Sequence, residues 1–244
     1  MRMVQIGFKC NRGIVRKNNE DACFVIPGHD VYIVADGVGG NNSGEVASRT
    51  AVSEIAEFIN ENDLSDCDDT EAIFESLSKA VGIANDKIYQ MGMESAENRG
   101  MATTVVMVYI RGLDAYVANV GDSRAYLMRK GRLKQLTNDH TYVNELVQKG
   151  VITQDEAEHH KQKNVITKAL GAEYFVEPDF YKIGLNKNDI IMLCSDGLYG
   201  EVDDAQIIES MNNMDNMNDV CADLVEKAIR AGGRDNITVV CLKI

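Results

Sequence analysis

The hydrophobic positions of the chain form two kinds of pattern. Short apolar runs rich in Val, Ile and Tyr are typical of strands. They predict strands over residues 23–26, 31–35, 103–110, 115–120, 125–129, 190–194 and 237–242. Gly121-Asp122-Ser123 stands between two of these runs, and Lys130-Gly131 follows the next one. We therefore predict a tight hairpin at the first of these positions, a turn at the second, and antiparallel pairing of the strands.

Four other segments carry apolar residues at helical spacing. The first begins at Ser43, a predicted N-cap, and further helices are predicted over 71–90, 203–211 and 217–231. The apolar stripe of the first helix consists of Ala47, Ala51, Ile55, Phe58 and Ile59. Because strands and helices occur in separate runs, the pattern predicts an α+β fold with helices outside antiparallel sheets.

The organisation of the chain favours a single domain over residues 1–244. Only two prolines occur, and no Gly/Ser-rich linker divides the sequence. The stretch from Thr137 to about residue 163 is polar and holds His140, His159 and His160, three of the four histidines. We predict that it is a partly helical excursion from the sheets, as in many functional loops and surface insertions.

Charge and cysteine content exclude several classes of protein. The net charge is −13, with 25 basic and 38 acidic residues, which disfavours a nucleic-acid partner. The six cysteines show no C-x-x-C spacing, so we expect small core hydrophobes in a reducing compartment and no zinc site. No segment has the apolar length of a signal peptide or a membrane span. We predict a cytoplasmic protein without membrane contact.

Several carboxylates stand where a predicted strand ends or a turn begins. A strand anchored in the core holds such a side chain rigidly, as a metal site requires, and carboxylate oxygens suit Mg²⁺ or Mn²⁺. For any single Asp-Gly the alternative is an ordinary turn residue. The functional interpretation depends on the segments taken together. These acidic residues are Glu20, Asp21, Asp36, Asp122, Asp196 and Asp235.

Eight short motifs follow one another along almost the whole chain. They are VRKNNED at 15–21, VADGVGG at 34–40, GMATT at 100–104, ANVGDSRAY at 118–126, LTNDH at 136–140, NVITKALG at 164–171, CSDGL at 194–198 and GGRDNIT at 232–238. In this order they resemble the metal-dependent serine/threonine protein phosphatases of the 2C type, in their bacterial branch. The resemblance implies a four-layer α-β-β-α sandwich of two antiparallel sheets flanked by helices.

The resemblance also implies a metal centre that binds two Mn²⁺ or Mg²⁺ ions. Asp36 would bridge the two ions, and the Gly37 carbonyl would bind one of them. Asp196 and Asp235 would complete the other.

The resemblance assigns roles to four further residues. Glu20 would contact a metal directly or through water, and Asp21 would support the ligands from behind. Asp122 would hold a third, weaker ion together with Asp196. Arg16 matches the phosphate-binding arginine, because a guanidinium binds two phosphate oxygens in a fork.

The implied activity is hydrolysis of phosphoserine and phosphothreonine in proteins by a metal-activated water, in opposition to a bacterial Ser/Thr kinase. We expect a monomer, with a flap at about 142–163 that governs recognition of protein substrates. One position departs from some family members, which carry a histidine proposed as general acid where this chain has Val38. His140, His159 and His160 are then candidates by elimination, and we expect none to be essential.

Three alternatives remain open at this point. Gly121-Asp122-Ser123 could mark a serine esterase, with Ser123 as nucleophile and His159 or His160 as base. Gly37-Val38-Gly39 could belong to a dinucleotide-binding loop, although Asn42 occupies the third glycine position and strand–helix alternation is missing. The chain could also be a binding module without activity, because fold alone never establishes catalysis.

Overall fold

Within residues 4–26, 28–38 and 43–244, which a computed structural model describes, eleven strands pair antiparallel in two sheets. The strands are β1 (Gln5–Asn11), β2 (Asp21–Ile26), β3 (Val31–Val38), β4 (Ala102–Thr103), β5 (Val105–Arg111), β6 (Asp114–Val120), β7 (Arg124–Arg129), β8 (Arg132–Gln135), β9 (Asp179–Gly184), β10 (Ile190–Cys194) and β11 (Ile237–Lys243). The first sheet has the order β1-β11-β10-β7-β8. The second has the order β2-β3-β5-β6-β9, and β4 pairs with β3.

The described residues form seven α-helices, and the longer ones cover the outer faces of the two sheets. They are α1 (Ser43–Glu61), α2 (Thr70–Glu94), α3 (Tyr142–Gln148), α4 (Gln154–Glu158), α5 (Asp196–Tyr199), α6 (Asp204–Asn213) and α7 (Met217–Ala231). One hydrophobic core joins α1 and α2 to the second sheet, and another joins α6 and α7 to the first. No helix in the described part of the chain is long and apolar enough to cross a membrane.

A third core lies between the two sheets and completes the α-β-β-α layers. On β3, Tyr32 and Val34 face this inner core, and Ile33 and Ala35 face the helices. Because side chains alternate between the faces of a strand, both faces of β3 are buried in apolar surroundings. This double burial explains why the central strands appear in the sequence as continuous apolar runs.

The predicted hairpin at Gly121-Asp122-Ser123 is wrong. β6 belongs to the second sheet and β7 to the first, so this segment carries the chain from one sheet to the other. An apolar run predicts a strand without indicating which sheet it joins. At Lys130-Gly131 the predicted turn is confirmed, because Arg129 pairs with Arg132 across it.

Other differences arise at edges and at one strand break. The predicted strand 103–110 divides at Thr104 into β4 and β5. Three strands had no prediction, namely β1, β8 and β9. Each lies at the edge of a sheet and has only one buried residue or none. The predicted first helix begins at Ser43, whose hydroxyl donates to the Glu97 carbonyl oxygen at 2.6 Å.

Candidate active site

Carboxylates from separate strands and loops meet at one end of the sandwich. Asp36 lies near the end of β3, directly opposite Asp21 at the start of β2. Residues directly opposite each other in an antiparallel pair project from the same face. Asp196 follows β10, and Asp235 precedes β11, which lies beside β10 in the other sheet.

Backbone hydrogen bonds hold Asp36 in place. Its N–H donates to Thr104 Oγ1 at 3.0 Å, and its carbonyl accepts from the Thr104 N–H and the Thr103 hydroxyl, each at 2.9 Å. Thr104 Oγ1 also lies 2.7 Å from Ser123 Oγ. The strand break at Thr104 therefore positions Asp36, and the GMATT motif acquires a structural explanation.

Ser195 connects Asp21 to the opposite sheet. Its hydroxyl donates to Asp21 Oδ2 at 2.7 Å and accepts from the Thr238 N–H at 3.0 Å. Both Ser195 and Asp21 are buried. Ser195 is a positioning residue that sequence reasoning missed, although it directly precedes Asp196 in the CSDGL motif.

Two contacts between backbones require glycine. A Cβ added to Gly37 would lie 2.1 Å from the Gly44 carbonyl oxygen and 2.5 Å from that of Glu20. A Cβ on Gly197 would lie 1.9 Å from the Asn236 carbonyl oxygen. These contacts bring β3, α1, α5 and the start of β11 closer together than any side chain would allow.

Arg16 lies at the rim of the carboxylate cluster. Its Nη2 atom is 2.6 Å from Asp235 Oδ2, and its side chain is half exposed. Partial burial lowers the pKa of Arg16, but the hydrogen bond and charge of Asp235 outweigh it, so the net pKa is raised. Arg16 therefore stays charged and remains accessible from solvent.

The carboxylates strongly perturb one another. Burial, followed by repulsion from Asp21, Asp196, Asp122 and Asp235, raises the pKa of Asp36 well above its ordinary value. Burial with neighbouring negative charge also raises the pKa of Asp21 and of Asp122 to about 7, and that of Asp196 to about 6. Buried groups of like charge are unfavourable unless a cation balances them.

The donor set fits divalent cations that take oxygen ligands. Asp21 Oδ1 and Asp196 Oδ1 are buried and have no hydrogen-bond partner within the described part of the chain. Among the residues that the structure describes, no group of three or more Asp, Glu, His or Cys side chains is arranged so that it could hold a metal ion by itself. Mg²⁺-type ions need only one or two carboxylates, with waters and carbonyl oxygens completing the octahedron. The residues therefore fit an open centre of this kind.

Asp122 belongs to a neighbouring network on the transition between the sheets. The Tyr199 hydroxyl donates to the Asp122 carbonyl oxygen at 2.9 Å, and the Arg124 guanidinium lies 3.5 Å from the centre of the Tyr199 ring. Arg124 also forms a bidentate ion pair with Asp139. The Asp122 carboxylate is buried beside Asp196 without a direct cationic partner among the described residues.

The structure removes two alternative functions. Ser123 is 0 % exposed and contacts Thr104 rather than a histidine, so it cannot serve as the nucleophile of an esterase. The dinucleotide loop requires parallel strands, whereas β3 pairs antiparallel with all its neighbours. Gly39 and Asn42 of that predicted loop lie outside the described residues.

The histidines occupy structural or exposed positions. His140 Nδ1 accepts from the Gly121 N–H at 2.9 Å, and its Nε2 lies 3.2 Å from Asp179 Oδ2. Burial lowers the pKa of His140. His159 ends α4 and bonds to the Asp155 carbonyl oxygen, and His160 accepts from the Gln162 N–H.

Comparison with known proteins identifies the family. The family model "Protein phosphatase 2C" matches residues 14–235. The chain belongs to the protein phosphatase 2C family. The serine/threonine phosphatase stp of Listeria innocua is 35% identical over 239 residues, with 97% of this chain and 94% of that protein covered. The resemblance inferred from the eight motifs is thereby confirmed.

Solved structures of serine/threonine phosphatases share the fold. The S. agalactiae serine/threonine phosphatase matches with a TM-score of 0.92 at 33% identity, covering 99% of this chain and 100% of that chain. The catalytic domain of the phosphatase PstP in complex with two manganese ions matches with a TM-score of 0.86 at 33% identity, covering 98% and 97%. The expected α-β-β-α sandwich is confirmed.

Proposed function

We propose that this member of the protein phosphatase 2C family hydrolyses phosphoserine and phosphothreonine in other proteins. The observation that carries the proposal is the convergence of Asp36, Asp196 and Asp235 at one end of the sandwich, with the charged Arg16 at their rim. The relatives named serine/threonine phosphatases support it. Phosphate esters are anionic, so a site that binds cations beside an arginine suits them.

We assign Asp36, the Gly37 carbonyl, Asp196 and Asp235 as ligands of two Mn²⁺ or Mg²⁺ ions. The complex of PstP with two manganese ions supports this number and type. Glu20 and Asp21 assist these ligands, and Asp122 with Asp196 would hold a third, weaker ion. When bound, such ions activate water and offset charge on the phosphoryl group.

Arg16 orients the phosphate in this scheme. Its guanidinium donates to two phosphoryl oxygens, which fixes the phosphorus relative to the carboxylate cluster. Its half-exposed position allows it to exchange the Asp235 carboxylate for a phosphate without crossing the core. Val38 has no proton to donate to the leaving alkoxide. We propose that none of the histidines replaces it as an essential group, because His140 already accepts a hydrogen bond from Gly121 and faces Asp179.

The deciding experiment is hydrolysis of para-nitrophenyl phosphate by metal-stripped protein, with Mn²⁺ then restored. We compare the wild type with Asp36→Asn and with Asp219→Asn, an exposed aspartate of α7. Activity that requires Mn²⁺ and is lost only in Asp36→Asn supports the assignment as a phosphatase. Phosphothreonine peptides are then the next substrates to test. Inactivity under every metal would favour the binding module, and metal-independent activity would contradict the assignment.

The remaining assignments concern recognition and context. We propose that α3 and α4, within the flap at about 142–163, govern recognition of phosphoproteins. We also propose that the enzyme is a single-domain, cytoplasmic monomer that opposes a Ser/Thr kinase. Shortening the flap should slow phosphoprotein turnover about tenfold and leave an aryl phosphate nearly unaffected. Equal effects on both substrates would contradict this role.

A further inference from the structure

A hollow of about 470 Å³ opens at the end of β3, the strand that carries Asp36. Its walls come from the end of β3, from β4 and from the segment 166–177, which follows the flap. Val38, Ile166, Val176 and Phe175 supply apolar surface. The volume is within the range of sites that bind small ligands or single side chains.

The hollow is linked to the site through β3 and β4. Val38 lies two residues after Asp36 on β3, so both side chains project from the same face of the strand, about 7 Å apart. β4 pairs with Gly37 and Val38, and its Thr103 exchanges two backbone hydrogen bonds with Leu170 of the segment. The same short strand therefore supports both Asp36 and the wall of the hollow.

Hydrogen bonds from α2 hold the backbone of the outer wall, although its aromatic side chains face solvent. The buried Asn85 of α2 donates to the carbonyl oxygens of Glu173 and Tyr174, and its Oδ1 accepts from the Gly171 N–H. Even so, Phe175 is 74% exposed. Phe175 and Val38, which is 42% exposed, both line the hollow, and contiguous exposed apolar surface of this kind marks interaction sites.

The charges around the hollow define what it would bind. Lys168 is already used, since its Nζ donates to the Glu177 carbonyl oxygen and pairs with Asp179. The carboxylates of Glu173 and Glu177 are exposed and form no ion pair within the described residues. The rim is therefore negative around an apolar floor, which favours an apolar side chain accompanied by a basic one.

We propose that this hollow is a substrate subsite that binds a large apolar residue of the phosphoprotein, with Glu173 and Glu177 contacting a neighbouring Lys or Arg. The inference rests on the proposed function and names the sequence class of its substrates. An extended peptide advances about 3.3–3.6 Å per residue. Since Val38 at the near wall lies about 7 Å from Asp36, the apolar residue stands at least about two positions from the phosphorylated one.

The test uses the Mn²⁺-loaded full chain and phosphothreonine peptides of nine residues. A Leu-Arg pair is moved through positions two to four on either side of the phosphothreonine, in an alanine and serine background. We expect one set of placements to raise kcat/KM about tenfold, chiefly through KM. Phe175→Ala should abolish the gain, and Glu173→Lys should remove the part due to arginine, with para-nitrophenyl phosphate turnover unchanged.

Matched controls are Leu113→Ala, an exposed apolar residue in the β5–β6 turn, and Glu57→Lys on α1; both should retain the gain. Hydrolysis of every peptide at one rate would overturn the subsite and leave the phosphatase intact, whereas hydrolysis of no phosphate ester would reject the proposed function itself. If Phe175→Ala lowered aryl phosphate turnover as much as peptide turnover, Phe175 would have a structural role and the subsite would be overturned. A dimer abolished by Phe175→Ala, without peptide preference, would assign the surface to self-association and overturn the subsite.

Discussion

The Asn236 side-chain oxygen accepts a hydrogen bond from the backbone N–H of Glu20, 2.8 Å away. The same side chain donates through Nδ2 to the carbonyl oxygens of Arg12 and Asn18, at 2.8 and 2.9 Å. One buried amide therefore fixes both ends of the loop between β1 and β2. That loop carries Arg16 to the rim of the site.

Replacing this amide should loosen the loop. Asn236→Ala leaves three backbone groups without their partner, so we expect the free energy of unfolding to fall by about 2–4 kcal/mol. Poorer placement of Arg16 should raise KM for phosphopeptides severalfold. Urea denaturation and steady-state kinetics measure the two effects, with Asn60→Ala on the exposed face of α1 as control. Unchanged stability and KM would show that the loop is held by other contacts.

Gly37 should not tolerate even one added methyl group. In Gly37→Ala the new Cβ meets the Gly44 and Glu20 carbonyl oxygens, so β3 must move relative to α1. We expect a loss of about 1–3 kcal/mol in stability and at least a hundredfold loss of activity. Gly82→Ala is the control, because its Cβ meets nothing within 4 Å on helix α2. That variant should be as stable as the wild type or more so, and an active Gly37→Ala enzyme would contradict the close packing.

Arg16→Lys should separate charge from geometry. The substitution keeps a positive charge but removes the bidentate fork, and we expect kcat/KM to fall about thirtyfold for both peptides and aryl phosphate. Stability should change by less than about 1 kcal/mol, since exposed ion pairs contribute little. Arg49→Lys, in an exposed pair with Glu45, is the matched control. Full activity of the Arg16→Lys variant would contradict a bidentate contact between Arg16 and the phosphate.

The metal-stripped protein should become less stable as the pH rises. Burial and neighbouring charge raise the pKa of Asp122 to about 7 and that of Asp196 to about 6, against about 3.9 in an unfolded chain. The folded state therefore binds more protons, and the stabilisation present below about pH 4 is lost as the pH passes through 6 to 7.

Urea midpoints of metal-stripped protein at pH 6 and pH 8 measure this loss. We expect a lower midpoint at pH 8 and expect Asp122→Asn to recover about 1–3 kcal/mol there, because the amide cannot ionise. Added Mn²⁺ should reverse the trend, since a cation favours the charged carboxylates. A midpoint that rises with pH in the stripped protein would contradict the raised pKa values.

Local pattern alone was enough for the main elements. Four of the five predicted apolar positions of α1 are buried and the fifth, Phe58, is partly buried, and α7 spans the predicted residues. Helical spacing and long apolar runs report burial directly, because they depend on which face of one element leaves water. The eight motifs likewise identified the family and the acidic residues that converge around Asp36.

The local pattern did not predict the edge strands or the contacts between segments that are distant in the sequence. β1 has few buried residues, since one face and one edge are open, and its sequence resembles a loop. The role of Ser195 beneath Asp21 depends on two residues 174 positions apart in the sequence coming together, which no local spacing encodes.

The sequence by itself determined which segments become helices or inner strands, which family the chain belongs to, and which carboxylates are candidates for the metal centre. Only the tertiary structure decided that the segment at Asp122 joins two sheets, that Asn236 anchors the loop of Arg16, and that Phe175 stays exposed beside Val38. The physical reason is that amphipathic periodicity is a property of a single element. Sheet membership and long-range hydrogen bonds are properties of pairs, and they are determined only when the cores pack.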